Sequence, residues 1–310
     1  MRNAFIQTLW KLARKDKRIM LLTGDLGFSV LEEFMEDFPD QFINAGVAEQ
    51  NMTGIAAGLA MEGKIPFIYS IIPFVTMRNF EQIRNDVCYQ RLNVKIVGIG
   101  AGFSYGPYGH THHALEDIGI LRTLPEMTII APGDPVEARL ATKAILSHKG
   151  PCYLRLGKAG EPALYDKDPD FQIGKGIILR NGKDVTIIAT STMLSSALET
   201  ASELEKDHIK ATVVSMHTIK PLDEKIILEC AKKTKVMVTV EEHSVIGGLG
   251  SAISEVLAEH NISIPYKRIG VPDRFTECIG LQEYMRHANN LSVRNIVLSV
   301  SKLIAPKTSA

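Results

Sequence analysis

Short, largely apolar runs alternate along this chain with segments whose apolar residues recur at helical spacing. In the first half the runs fall at 19–23, 41–44, 67–71, 94–99, 127–131 and 152–156. Such runs read as strands covered on both faces, and the periodic segments between them, 49–61, 79–91, 115–124 and 135–147, as helices packed on a sheet. A polar stretch rich in Pro, Asp and Lys, 158–170, interrupts the alternation and reads as a linker. The pattern then restarts, with strands expected at 185–190, 211–216, 236–241 and 266–269 and helices at 194–206, 223–233, 250–259 and 293–304. Repeated βαβ order predicts an α/β protein with a parallel sheet followed by a smaller α/β domain.

The rest of the composition narrows the function. Over 310 residues, 35 Lys+Arg balance 35 Asp+Glu, and this neutrality argues against a nucleic-acid binder. No apolar run approaches the roughly 20 residues of a membrane span. Cys88, Cys152, Cys230 and Cys278 stand far apart with no CxxC pair, which predicts reduced thiols and a cytoplasmic protein rather than disulfides or a zinc site. The basic N-terminus has the look of a transit peptide, but Phe5, Leu9, Leu12 and Ala13 share one helical face, so it is read as an ordinary first helix.

The segment 42–52 is the most informative. A strand runs into Gly46, a helix opens near Ala48, and Glu49 falls in its first turn. An acid there could simply complement the helix dipole. It also stands where open α/β sheets bind ligands, beyond the strand carboxyl ends.

The run Ala45-Gly-Val-Ala-Glu-Gln-Asn-Met52 and its continuation to Phe67 resemble the pyrimidine-binding domain of transketolase-type thiamine diphosphate enzymes. Further matches follow in order: Gly24-Asp-Leu-Gly27, Gly106-Pro-Tyr-Gly-His-Thr-His-His113, Leu121-Arg-Thr-Leu-Pro125, Ile130-Ala-Pro-Gly-Asp134, Glu241-Glu-His243 and Gly247-Gly-Leu-Gly-Ser251. They cover nearly the whole chain. The resemblance implies a pyrimidine-type domain with a parallel sheet at 1–165, a linker at 166–180 and a smaller transketolase C-terminal-like α/β domain at 181–310.

The resemblance also assigns roles. Glu49 matches the glutamate that bonds ring nitrogen N1′ of the aminopyrimidine and so favours the imino tautomer, whose 4′-nitrogen takes the proton from thiazolium C2. Phe74 matches an aromatic that stacks on the pyrimidine, and Tyr69 and Arg78 are placed with it as cofactor-binding residues. Two other family aromatics fall on Ile71 and Met77. His112 matches the histidine facing the reacting carbon, and His110, Tyr108 and Lys158 are expected with it around the substrate. No metal ligand set is read from these histidines. Ordinary transketolases carry a histidine at Gly100 and an aspartate at Tyr108, both contacting sugar hydroxyls, so the substrate is expected to be a non-standard sugar. Lys158 stands where the family grips a phosphate with arginine. Gly98-Ile-Gly-Ala-Gly102 lacks the GxGxxG spacing of a dinucleotide loop. The glycines at 247–250 could hold an anion at a helix start, but a structural role is favoured.

No Gly-Asp-Gly occurs in the chain. The family uses that motif with Mg²⁺ to bind the diphosphate. The expectation is therefore half an active site. This would be a subunit of a split, thiamine diphosphate-dependent transketolase that transfers a two-carbon ketol unit between a ketose and an aldose. It would be active only in a heterotetramer with an N-terminal subunit carrying the diphosphate and Mg²⁺ half. Alternatives are an acyloin-forming enzyme like 1-deoxyxylulose-phosphate synthase, a 2-oxoacid dehydrogenase β subunit, or a non-catalytic scaffold.

Overall fold

The apolar runs become strands because helices cover both faces of the sheet they form. The computed structural model describes residues 1–305. Six strands come first: β1 (Ile19–Thr23), β2 (Phe42–Asn44), β3 (Ile65–Ile71), β4 (Lys95–Ile99), β5 (Thr128–Ile130) and β6 (Cys152–Leu156). Between and before them run α1 (Arg2–Ala13), α2 (Glu32–Asp37), α3 (Glu49–Met61), α4 (Ile72–Thr76), α5 (Phe80–Gln82), α6 (Asp117–Arg122) and α7 (Pro135–Ser147). The second part holds β7 (Ile177–Arg180), β8 (Val185–Ala189), α8 (Leu194–Lys206), β9 (Ala211–Ser215) and β10 (Thr218–Lys220). It continues with α9 (Glu224–Lys233), β11 (Val236–Ser244), α10 (Leu249–Glu259), β12 (Tyr266–Val271), α11 (Gln282–Ala288) and α12 (Val293–Ile304).

The first sheet has seven strands in the order β10-β5-β6-β4-β3-β1-β2. Six are parallel, and β10 closes the edge antiparallel to β5. The second sheet has five strands, β12-β11-β8-β9-β7, with β7 antiparallel to β9. The α/β class and parallel first sheet agree with the periodicity. Two short strands do not. Thr218–Lys220 lies in the second half of the chain yet pairs with Ile129 and Ile130. Ile177–Arg180 forms a strand inside the stretch read as linker. The helix expected over 79–91 is instead the three-residue α5 followed by a π-helical turn at Ile83–Cys88.

The N-terminal helix behaves as its spacing predicts. Phe5, Leu9 and Ala13 are buried against the sheet, and Leu12 is half-buried. Helix starts are set by their caps. Asp134 accepts the Glu137 N–H at 2.7 Å with Pro135 at the first position, and Asp223 accepts the Ile226 N–H at 3.2 Å. Among the described residues no helix is long and apolar enough to cross a membrane.

Candidate active site

Parallel strands β1, β3 and β4 deliver their carboxyl ends to one edge, and the predicted residues gather there. Glu49 opens α3 and its side chain is buried, 1% exposed. Ser70 Oγ donates to Oε1 at 3.0 Å, and Arg78 Nη1 donates to Oε2 at 2.5 Å. Gly24, just past β1, makes room: a Cβ there would stand 3.2 Å from Glu49 Oε1. From Glu49 a line of contacts runs outward through neighbouring side chains. The Arg78 guanidinium carbon lies 4.5 Å over the Phe74 ring. Phe74 meets the His112 ring edge-on at 5.2 Å, and His112 meets Tyr108 at 5.2 Å and Tyr105 at 6.2 Å. Lys158 Nζ sits 4.8 Å over Tyr105. Glu49, Arg78, Phe74, His112, Tyr108 and Lys158 thus form one continuous wall, with Tyr105 as a member the motif reading did not single out.

Tyr69 is not in that wall. Side chains alternate across a strand, so Ser70 points to Glu49 while Tyr69 points to the opposite face of β3. There it stacks with Phe5 at 6.2 Å in the core beneath α1, and burial pushes its phenol pKa up. Its expected cofactor contact is corrected to a packing role. His110 also turns away, its ring 5.7 Å from Phe275. His113 is buried, with Nε2 at 3.2 Å from the Gly106 carbonyl and its ring edge-on to Phe103.

The loop carrying His112 is closed at its base by pairing of Gly102 with Ala114, at N···O 3.2 and 3.0 Å. Arg155, fully buried, clamps that base. It donates to Asp117 at 2.8 Å, the Ala114 carbonyl at 2.7 Å and the Glu242 carbonyl at 3.1 Å. Glu242 supplies the other clamp: Oε1 accepts the Phe103 N–H at 3.1 Å, and Oε2 accepts from Thr192 at 2.6 Å and Arg286 at 2.8 Å. The motif containing Glu242 is visible in the sequence, but not this role. The signal is an acidic pair ending a strand otherwise made of Val, Met and Thr.

Burial lowers the His112 pKa below its ordinary 6.5, which favours the neutral imidazole. Its Nδ1 lies 3.0 Å from Thr111 Oγ1, which leaves Nε2 as the nitrogen for a substrate. Gly100 has φ +96°, and a Cβ there would meet the Tyr105 ring at 2.2 Å. The glycine is thus a demand of the backbone and of Tyr105, not merely a lost polar contact. The glycine-rich turn before α10 holds no free anion site, because Glu241 already accepts the Leu249 and Gly250 N–H groups at 2.7 and 2.8 Å. Among the described residues no group of three His, Cys, Asp or Glu is placed to hold a metal.

Comparison with known proteins gives the family. Residues 1–160 match the family model "Transketolase, pyrimidine binding domain", and residues 174–289 match "Transketolase, C-terminal domain". The chain is 41% identical to the 6-deoxy-6-sulfo-D-fructose transketolase subunit SqwH of Clostridium sp. (strain MSTE9), over 99% of this chain and 95% of that protein. It is 41% identical to an apulose-4-phosphate transketolase subunit of Phocaeicola vulgatus, over 88% of this chain and 87% of that one. A solved structure described as a split gene transketolase, inactive beta4 tetramer, superposes with TM-score 0.88 at 41% identity, covering 98% of this chain and 97% of that chain. The chain belongs to the transketolase family, with the pyrimidine-binding and C-terminal domains of that family and relatives that are separate transketolase subunits.

Proposed function

We propose that this chain supplies the pyrimidine side of a split transketolase and acts on anionic, non-standard sugars. The observation that carries the reading is the buried Glu49 carboxylate at one end of a line of contacts that runs through Arg78 and Phe74 to His112. A buried carboxylate with an aromatic face beside it fits an aminopyrimidine ring. Thiamine diphosphate, when bound, supplies a carbon nucleophile for ketol transfer. Ser70 fixes Oε1 of Glu49, and Oε2, to which Arg78 now donates, is the oxygen that would hold or pass a proton at the ring nitrogen. Phe74 orients the ring, and His112 Nε2 bonds substrate oxygens and moves protons there.

Lys158 supports an anionic substrate, and two relatives are named for a sulfo-sugar and a sugar phosphate. With no Gly-Asp-Gly in the chain, the diphosphate and Mg²⁺ fall to a partner subunit, in a complex of two copies each. A relative described as an inactive beta4 tetramer supports that requirement. The division at 1–165, 166–180 and 181–310 belongs to the same reading, with β7 at the linker's end. Four free cysteines support a reducing, cytoplasmic setting. The test is proton–deuterium exchange at cofactor C2 in the complex with its partner. Glu49→Gln should slow it by orders of magnitude, and unchanged exchange in a folded variant would sink the assignment.

A further inference from the structure

Arg78 makes two contacts at once, and both fall on the residues assigned to the cofactor ring. Its Nη1 donates to Glu49 Oε2 at 2.5 Å, and its guanidinium carbon lies 4.5 Å over the Phe74 ring. A guanidinium is flat, delocalised and an N–H donor, as a protonated aminopyrimidine edge is. We infer that Arg78 is a stand-in for the aminopyrimidine: it fills the ring's place in the cofactor-free chain and must be displaced when the cofactor binds.

The surroundings suit such a part. The Glu49 side chain is 1% exposed, and a carboxylate so buried needs a partner when the ring is absent. The Arg78 side chain is 41% exposed, so it enters from the rim and can leave without opening the core. The next residue is pinned: Asn79 is buried and donates to Thr53 Oγ1 at 2.7 Å. Movement is thereby confined to the arginine side chain. Binding that must first displace a resident group is weakened by the free energy of that group's contacts.

This inference rests on the proposed reading of Glu49 and Phe74, and the experiment separates the two. The dissociation constant of thiamine diphosphate with Mg²⁺ is measured by calorimetry on the complex with its partner, for wild type, Arg78→Ala and Phe74→Ala. Arg78→Ala should bind about tenfold more tightly, and its association should be faster. Equal or weaker binding by Arg78→Ala, with Phe74→Ala weakened, overturns the stand-in while leaving the ring site in place. Phe74→Ala binding as wild type does would overturn the ring site and the stand-in together. Arg78→Ala leaves the buried Glu49 carboxylate with Ser70 as its remaining side-chain partner, so the variant should lose stability; thermal unfolding checks that it still folds, and Arg78→Gln, which removes the charge but keeps an N–H donor, should show the same tighter binding if the alanine variant does not fold.

Discussion

Glu242, near the end of β11, holds the backbone N–H of Phe103 at 3.1 Å. The first residue belongs to the second sheet, and the second lies at the base of the loop that carries His112. Through this contact the C-terminal part of the chain positions a loop of the candidate active site, although its own sheet contributes no residue to the line of contacts from Glu49 to Lys158.

Glu242→Ala should therefore be costly in two ways. It leaves the Arg286 guanidinium, 9% exposed, with only the exposed Glu283 as a carboxylate partner, so the loss should approach the about 3–5 kcal/mol of a broken buried pair without reaching its upper end. It also frees the Phe103 N–H. Thermal unfolding should shift down strongly, and amides of residues 102–114 should lose protection from hydrogen exchange. Unchanged protection in that loop would show that Glu242 does not position it. Thr192→Val, which removes one donor to the same carboxylate, should cost about 1 kcal/mol.

Glu49→Ala should behave oppositely. Arg78 is 41% exposed and can turn to water once its partner is gone, so stability should change by only about 0.3–1 kcal/mol. Denaturant unfolding measures this. A loss of several kcal/mol would mean that Glu49 is chiefly a structural residue.

Much of this arrangement is legible in the sequence, and the remainder has physical causes. Strand runs such as 19–22 are read directly, because full burial on both faces favours unbroken apolar residues. Thr218–Lys220 escapes notice because three residues carry no periodicity and their partner strand is some ninety positions away in sequence. Glu49, Phe74 and His112 are singled out by the family resemblance, and the fold brings them into one line of contacts with Arg78. Tyr69 is misplaced because a motif gives position along the strand, and the period of two then decides the face. Glu242 needs the fold itself, since its partners Phe103, Thr192 and Arg286 are far apart in the chain.

The low His112 pKa predicts a pH profile. A histidine depressed by burial stays neutral below the ordinary 6.5, so the acid limb of kcat/KM should fall below pH 6.5 rather than at it. If folding is measured instead, protonation favours the unfolded chain, so the histidine's contribution is fully present above 6.5 and is lost as pH falls from there towards the depressed value. His112→Asn should abolish the acid limb. A limb above 6.5, or one retained in the variant, would assign it to another group.

Substrate choice separates Gly100 from Tyr108. Ordinary transketolases carry a histidine at Gly100 and an aspartate at Tyr108, so the simplest expectation is that restoring both would raise activity on a standard sugar such as xylulose 5-phosphate. Gly100→His cannot do so, because φ +96° and the Tyr105 ring at 2.2 Å exclude a side chain. It should instead destabilise by about 1–3 kcal/mol. Tyr108 is 63% exposed, and Tyr108→Asp should fold normally and raise kcat/KM for xylulose 5-phosphate. A gain from Gly100→His with unchanged stability would contradict the packing argument.

The central claim is that this chain holds one half of an active site. The most direct measurement is ketol transfer by the purified chain, assayed with thiamine diphosphate and Mg²⁺, before and after addition of the partner subunit that carries the diphosphate half. The account predicts no transfer by the chain alone and full transfer once the partner is present. Turnover by the chain alone would contradict it.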